Sequence, residues 1–353
     1  MSTEAAQPHS LATGDLHRLR TKRRALRLAF GTATGFTVAN ALDWPAALLT
    51  PIMFIQLSVG LRACPTLGSA AGVIAAVAAC VGIGWLVTTV VGIPTLCVLL
   101  IATLLFAAFY VQAGRAGGLA PFVLMVAVCV LPVVALQAAE AAMMVAAELI
   151  RASIAAFFLV WVTWAAFPDP RMLTPPPSPR AAAPVASARA RARVALVNTA
   201  VLMPVEIAFL VFDLTNAIVA LITTIAIVRT QTHAVRLGMV GGLLQGNVLA
   251  GLAAFGAGSL IMAWPSLPML FFSVLVVALL FADWLTAAEP ARASTYVVGL
   301  TSSIALLDGS LSAFSEGAGE DVYQRLVYVA AAIAYILGAL ALTEGLRPKR
   351  SDK

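Results

Sequence analysis

Asp43-Trp44-Pro45-Ala46-Ala47-Leu48-Leu49-Thr50-Pro51 opens a stretch, residues 43–100, that lines up with residues 213–270 at a constant shift and without a gap. Asp43 falls on Asp213, Leu67-Gly68 on Leu237-Gly238, and Gly72 on Gly242. Each copy sits in a run of about six apolar stretches. A Pro- and Arg-rich segment separates the two runs. Repetition on this scale implies two bundles packed about a shared axis, as in many secondary transporters, where a substrate is held between the halves.

Composition fixes the solvent. Hydrophobic residues make up 61% of the chain and charged residues 11%, and the mean hydropathy is +0.97. A water-soluble domain carries about a quarter charged residues, so lipid must face most of this surface. Backbone in hydrocarbon has to satisfy its own hydrogen bonds, which leaves helices or a closed barrel. The apolar runs are continuous rather than alternating, and that selects helices.

The expected fold is an all-α polytopic membrane protein of about twelve transmembrane helices, arranged as two parallel six-helix repeats. The pattern divides the chain into a basic tail (1–24), a first membrane repeat (25–167), a Pro/Arg-rich linker (168–193), a second repeat (194–343) and a short tail (344–353). Helices are predicted near 25–42, 44–61, 66–88, 93–112, 119–137 and 145–167, then 194–212, 214–229, 236–261, 266–286, 294–313 and 322–343. Asp43-Trp44-Pro45 and Asp213 mark the tight turns after the first helix of each repeat. The linker, with Pro175-Pro176-Pro177 and its Ala-Arg alternation, is expected to be extended. Glycines 68 and 72, with their counterparts 238 and 242, suggest that the third and ninth helices meet near the pseudo-axis.

The arginines give an orientation. With the N-terminus inside, Arg62, Arg115, Arg171, Arg180, Arg189, Arg229, Arg236, Arg292 and the tail residues Arg347, Lys349 and Arg350 all fall on the cytoplasmic side. The opposite loops carry Asp43, Glu140, Asp213, Glu316 and Glu320. The expectation is a multi-pass protein of a bacterial inner membrane with both termini cytoplasmic. The net charge of +6 then marks cytoplasmic loops and lipid head groups rather than nucleic acid.

Several chemistries lack their residues. The lysines, Lys22, Lys349 and Lys353, follow no Gly-rich phosphate loop. His9, His17 and His233 have no metal-ligand spacing. Cys64, Cys80, Cys97 and Cys129 form no C-x-x-C pair, and the expectation is unpaired, inert thiols. No cofactor, metal or enzymatic activity is expected.

Polar groups inside the spans are the candidates for function, because a carboxylate in hydrocarbon is costly unless paired, protonated or wet. Glu206 sits mid-span two residues after Pro204, where the helix is loosened. It reads either as a proton carrier or as a carboxyl bonded to a neighbouring helix. Asp308, followed by Gly309 and Ser310, reads as a second proton or substrate group or as a structural one. Gln56 lies in the short, Pro51-bearing second helix, a pattern that points to binding sites. Glu148 with Arg151, and Asp321 with Arg325, place acid and base on one helical face in matching parts of the repeats. They read as local salt bridges or as an outer gate that attracts anions.

Arg24-Ala-Leu-Arg-Leu-Ala-Phe-Gly31 through Asp43-Trp44-Pro45 and Pro51 resembles the first helices of the fusaric-acid-resistance and aromatic acid exporter superfamily, and more narrowly a short branch known only as a domain of unknown function. The resemblance covers roughly residues 20–170. It implies an inner-membrane efflux component, driven by protons, that exports aromatic or other organic acids beside a periplasmic adaptor of the membrane-fusion class. Larger members carry a cytoplasmic domain where this chain has only its 168–193 linker. The function expected is therefore proton-driven efflux of a small organic anion. The alternative is a non-transporting membrane subunit that anchors or assembles an envelope complex. Expected partners are membrane lipid, the adaptor, and further copies of the chain as a homo-oligomer.

Overall fold

A computed structural model describes residues 8–61, 63–114, 118–169, 187–212, 214, 218–230, 237–287, 290–315, 335 and 338. Every regular element among them is an α-helix. These are α1 (Pro8–Ala41), α2 (Leu49–Gly60), α3 (Leu67–Thr88), α4 (Pro94–Gly114), α5 (Leu119–Gln137), α6 (Ala139–Ala166), α7 (Ala188–Phe212), α8 (Ile218–Thr230), α9 (Leu237–Ala263), α10 (Leu267–Ala287) and α11 (Pro290–Ser315). Among the described helices α3, α4, α5, α6, α7 and α10 are long and apolar enough to cross a bilayer. The chain is a multi-pass helical membrane protein. The stretch expected to form a last helix near 322–343 lies almost wholly outside the described residues.

Four helices begin earlier than predicted, α11 by four residues at Pro290 and three others as follows. α1 starts at Pro8, inside the stretch expected to be a tail: Pro8 suits a first helical position, and the Leu, Ala, Arg and Lys residues of 8–24 outweigh the single Gly14. α6 starts at Ala139 rather than near 145, since Glu140 to Ala147 are strong helix formers. α7 starts at Ala188, so the Ala-Arg alternation at the end of the linker is helical rather than extended. Ala and Arg are among the best helix formers. The Ser187 hydroxyl accepts the Ala190 N–H at 3.3 Å and caps the first turn.

The end of α1 is a left-handed cap. Asp43 has φ 52°, its N–H bonds Asn40 O at 3.1 Å, and Trp44 N–H reaches back to Ala39 O at 3.0 Å. That pair of bonds closes a helix whose next residue adopts the left-handed conformation. Pro45 then prevents continuation. In the second half Leu214 N–H bonds Phe209 O at 3.3 Å, the same five-residue reach at the corresponding position. Asp213 itself lies outside the described residues.

The packing recurs between the halves. α1 lies along α10, and α4 lies along α7. α3 packs on α5, and α9 packs on α11. α5 is the most enclosed span, with 72% of its most apolar window buried against 28% for α3. Glycine permits the closest approaches. A Cβ on Gly84 would lie 2.7 Å from Ala127 Cβ, where α3 crosses α5. A Cβ on Gly246 would lie 2.9 Å from Thr295 Cγ2, where α9 crosses α11. Gly68 and Gly72 face open space, and the chief neighbours of α3 are α5 and α6. The expected meeting of the third and ninth helices at these glycines is therefore corrected: close packing uses Gly84, on another face of α3.

Candidate functional site

Two polar centres stand out, one deep in the bundle and one at its basic end. The deep centre is Glu206. Its side chain is fully buried, and its carboxyl meets no oxygen or nitrogen partner among the described residues, only the weak thiol donor of Cys129. Its neighbours are the Cys129 thiol on α5 and, within electrostatic reach, Cys97 on α4.

The helix that carries Glu206 and the helix that carries Cys129 each hold an internal proline, Pro204 in α7 and Pro132 in α5. Each ring removes one backbone donor, so the carbonyls of Ala200 and Val128 lose their helical partners. One turn below Glu206 the Val201 carbonyl accepts the Tyr335 hydroxyl at 3.3 Å. Nothing in the sequence shows that Cys129, three residues before Pro132, meets Glu206.

The basic end is assembled by arginines. Arg24 Nη2 donates to Val59 O at the end of α2 (2.9 Å), and Arg23 donates to Pro168 O just beyond α6. Arg27 pairs with Asp169 at 2.9 Å and lies over the Trp164 ring at 3.8 Å. Trp161 Nε1 donates to Pro65 O at 3.0 Å. The middle of α1 and the ends of α2 and α6 are thus tied together.

Arg229, in the last turn of α8, is buried at this same end. Its Nη1 donates to Gln56 Oε1 at 2.7 Å and its Nη2 to Gly118 O at 3.1 Å. The guanidinium carbon lies 5.1 Å from the Phe122 ring centroid. Gln112 Nε2 donates to Arg229 O at 3.1 Å. One residue of α8 therefore joins α2 and the start of α5 through its side chain and α4 through its backbone carbonyl. Sequence reading placed Arg229 as a cytoplasmic marker and singled out Gln56 alone. Only the fold shows that they are partners.

At the opposite end Glu148 and Arg151 form the ion pair that their spacing predicts, at 2.8 Å. Arg151 also lies over the Trp44 ring at 5.5 Å, so the pair is anchored to the turn that follows α1. Asp321 and Arg325 lie outside the described residues. Asp308 is half-buried on α11 and engaged in an interaction with its surroundings. α11 packs chiefly on α9, α10 and α8, whereas α7, which carries Glu206, packs chiefly on α4 and α8. The two acids thus stand on helices with largely different neighbours. No cluster of His, Cys, Asp and Glu suited to a metal ion occurs among the described residues.

Residues 24–163 match the model of a family described as a protein of unknown function, DUF2955. The match begins within α1 and ends within α6, so it covers the first set of helices and none of the second. No curated protein and no solved structure matches the chain.

Proposed function

We propose that this protein is a proton-coupled transporter that exports a small organic anion across a bacterial inner membrane. One observation carries the reading: Glu206, a fully buried carboxyl that meets no stronger donor than the Cys129 thiol among the described residues, on a membrane-spanning helix. A buried carboxyl so weakly bonded costs stability. A fold that keeps one gains most if the group takes up and gives back a proton. The prolines in α5 and α7 supply softened backbone in those two helices.

The rest of the proposal is a set of twelve spans in two parallel repeats, with both termini cytoplasmic. It draws support from the recurring pairings α1 with α10 and α4 with α7, and α3 with α5 and α9 with α11. The basic end, with Arg23, Arg24, Arg27 and Arg229, suits the cytoplasmic face. The wider kinship with organic-acid exporters, and work beside a periplasmic adaptor, belong to the same proposal.

The test is flux of radiolabelled benzoate in liposomes holding the purified full chain under an imposed pH gradient. The wild type moves benzoate with the gradient, and Glu206→Gln loses the gradient-driven component. Equal gradient-driven flux in the variant would remove Glu206 from the coupling. A second reading, a non-transporting membrane subunit, is favoured by the Glu148–Arg151 pair, which is closed within one helix as a purely structural bridge would be. Wild-type liposomes that move no organic acid would support it.

A further inference from the structure

We infer that Cys129 is a positioning residue for Glu206: its thiol, carried by α5, donates a hydrogen bond to the carboxylate that remains when Glu206 on α7 gives up its proton. The inference rests on the transport reading above and assigns the group that acts with Glu206 in it. Three observations carry it.

The first is the seclusion of the pair. Both residues are 0% exposed. Among the described residues no nitrogen or oxygen donor reaches the carboxyl, and the Cys129 thiol does. A bare carboxylate at that depth is costly, so any donor that meets it matters. A thiol donates weakly to a neutral group, but a charged acceptor strengthens the bond.

The second is the lack of a competing charge. α7 packs on α4, α5 and α8. The titratable or charged side chains on these helices are Cys97 and Tyr110 on α4, Cys129 on α5 and Arg229 on α8. Tyr110 stands beside Arg191 near the start of α7, and Arg229 is bonded to Gln56 and Gly118 at the basic end. Arg189, Arg191 and Arg193 of α7 itself lie in its first two turns. Tyr335 gives its hydroxyl to Val201 O. Cys97 lies within electrostatic reach of the carboxyl. Among the described residues no cation joins Cys129 at Glu206.

The third is the fit of a thiol to a group that must both hold and release a proton. A guanidinium or ammonium at this place would keep the carboxyl charged, and a purely apolar neighbour would keep it protonated. A thiol both donates and weakly accepts, so it can stay with the carboxyl in either state. The bond is stronger to the charged form and joins α5 to α7. Loss of the proton therefore tightens a contact between two helices long and apolar enough to cross the membrane.

The experiment is infrared difference spectroscopy of the purified full-length protein between low and high pH. The carboxyl C=O band missing from Glu206→Gln belongs to Glu206, and the S–H band missing from Cys129→Ala belongs to Cys129. In the wild type the two should change together as the pH rises: the C=O band disappears as the S–H band moves to lower frequency. In Glu206→Gln the S–H band should ignore pH. In Cys129→Ala the charged form has lost its donor, so the C=O band should persist to a pH higher by roughly half a unit or more. Cys129→Ser restores a donor and should reverse that shift. It also lacks the S–H band, so it serves for the band assignment if Cys129→Ala does not fold.

An S–H band indifferent to the titration of Glu206, a C=O band that titrates alike in Cys129→Ala and the wild type, or a C=O band that no pH removes would each overturn the inference. The flux assay reads separately. Gradient-driven wild-type flux with an indifferent S–H band sinks this role of Cys129 and leaves transport standing. Coupled bands without any wild-type flux uphold the pair and sink transport.

Discussion

Glu148 Oε1 and Arg151 Nη1 lie 2.8 Å apart, yet the acid side chain is 3% exposed and the base 47%. The carboxylate is the buried partner, and its second oxygen already lacks a hydrogen bond. Arg151→Ala would leave that charge alone inside the bundle and should destabilise the protein by about 2–4 kcal/mol. The double variant Glu148→Ala/Arg151→Ala should cost less than Arg151→Ala alone. Apparent melting temperatures in detergent check the order, and a double variant less stable than Arg151→Ala contradicts it.

Gly31 and Gly72 predict opposite responses to the same change. A Cβ on Gly31 would lie 2.0 Å from Phe54 Cζ, and Phe54 is fully buried. Gly31→Ala therefore forces a core ring to shift and should cost about 1–3 kcal/mol. Gly72 faces open space, so Gly72→Ala should be neutral or stabilise by up to about 1 kcal/mol through helix propensity. Equal shifts in melting temperature would refute this account of α1 against α2.

Asp43 adopts the left-handed conformation at φ 52°. Asp43→Gly removes the Cβ from that geometry and should stabilise by about 0.5–1 kcal/mol, whereas Asp43→Val should destabilise by about 1–2 kcal/mol. The side chain is exposed, so little packing is lost in either variant. A valine variant as stable as the glycine variant would mean that the turn relaxes to another conformation.

Glu206 should show stability and function pulling apart. Glu206→Leu replaces a buried carboxyl bonded no more strongly than to a thiol with an apolar group and should raise stability by about 1–3 kcal/mol. The same variant should lose gradient-driven benzoate flux. A destabilised Glu206→Leu protein would indicate that the carboxyl is bonded more strongly than that in the resting fold.

Much of the fold was legible because lipid demands it. Apolar runs of sufficient length become helices when no water can satisfy the backbone, so α3, α4 and α5 begin and end within a residue or two of expectation. Boundaries drifted at the starts of α1, α6, α7 and α11, which come early, and of α2, which begins at Leu49 rather than near 44. At the early starts the apolar pattern stops while helix propensity continues. Pair spacing foretold Glu148–Arg151, because one helix turn brings them together without help from the rest of the chain.

The sequence by itself determined an all-helical membrane chain, the turn at Asp43-Trp44-Pro45 and the isolation of Glu206 in an apolar span. Each follows from local pattern: hydropathy, spacing, and the φ that a residue before proline can adopt. Only the tertiary structure decided that Arg229 would meet Gln56, that Gly84 rather than Gly68 would admit a neighbour, and that Cys129 would meet Glu206. Those facts depend on which helix faces do not meet lipid. In a chain apolar on nearly every side, that choice is made by close packing between distant segments, which hydropathy leaves unmarked.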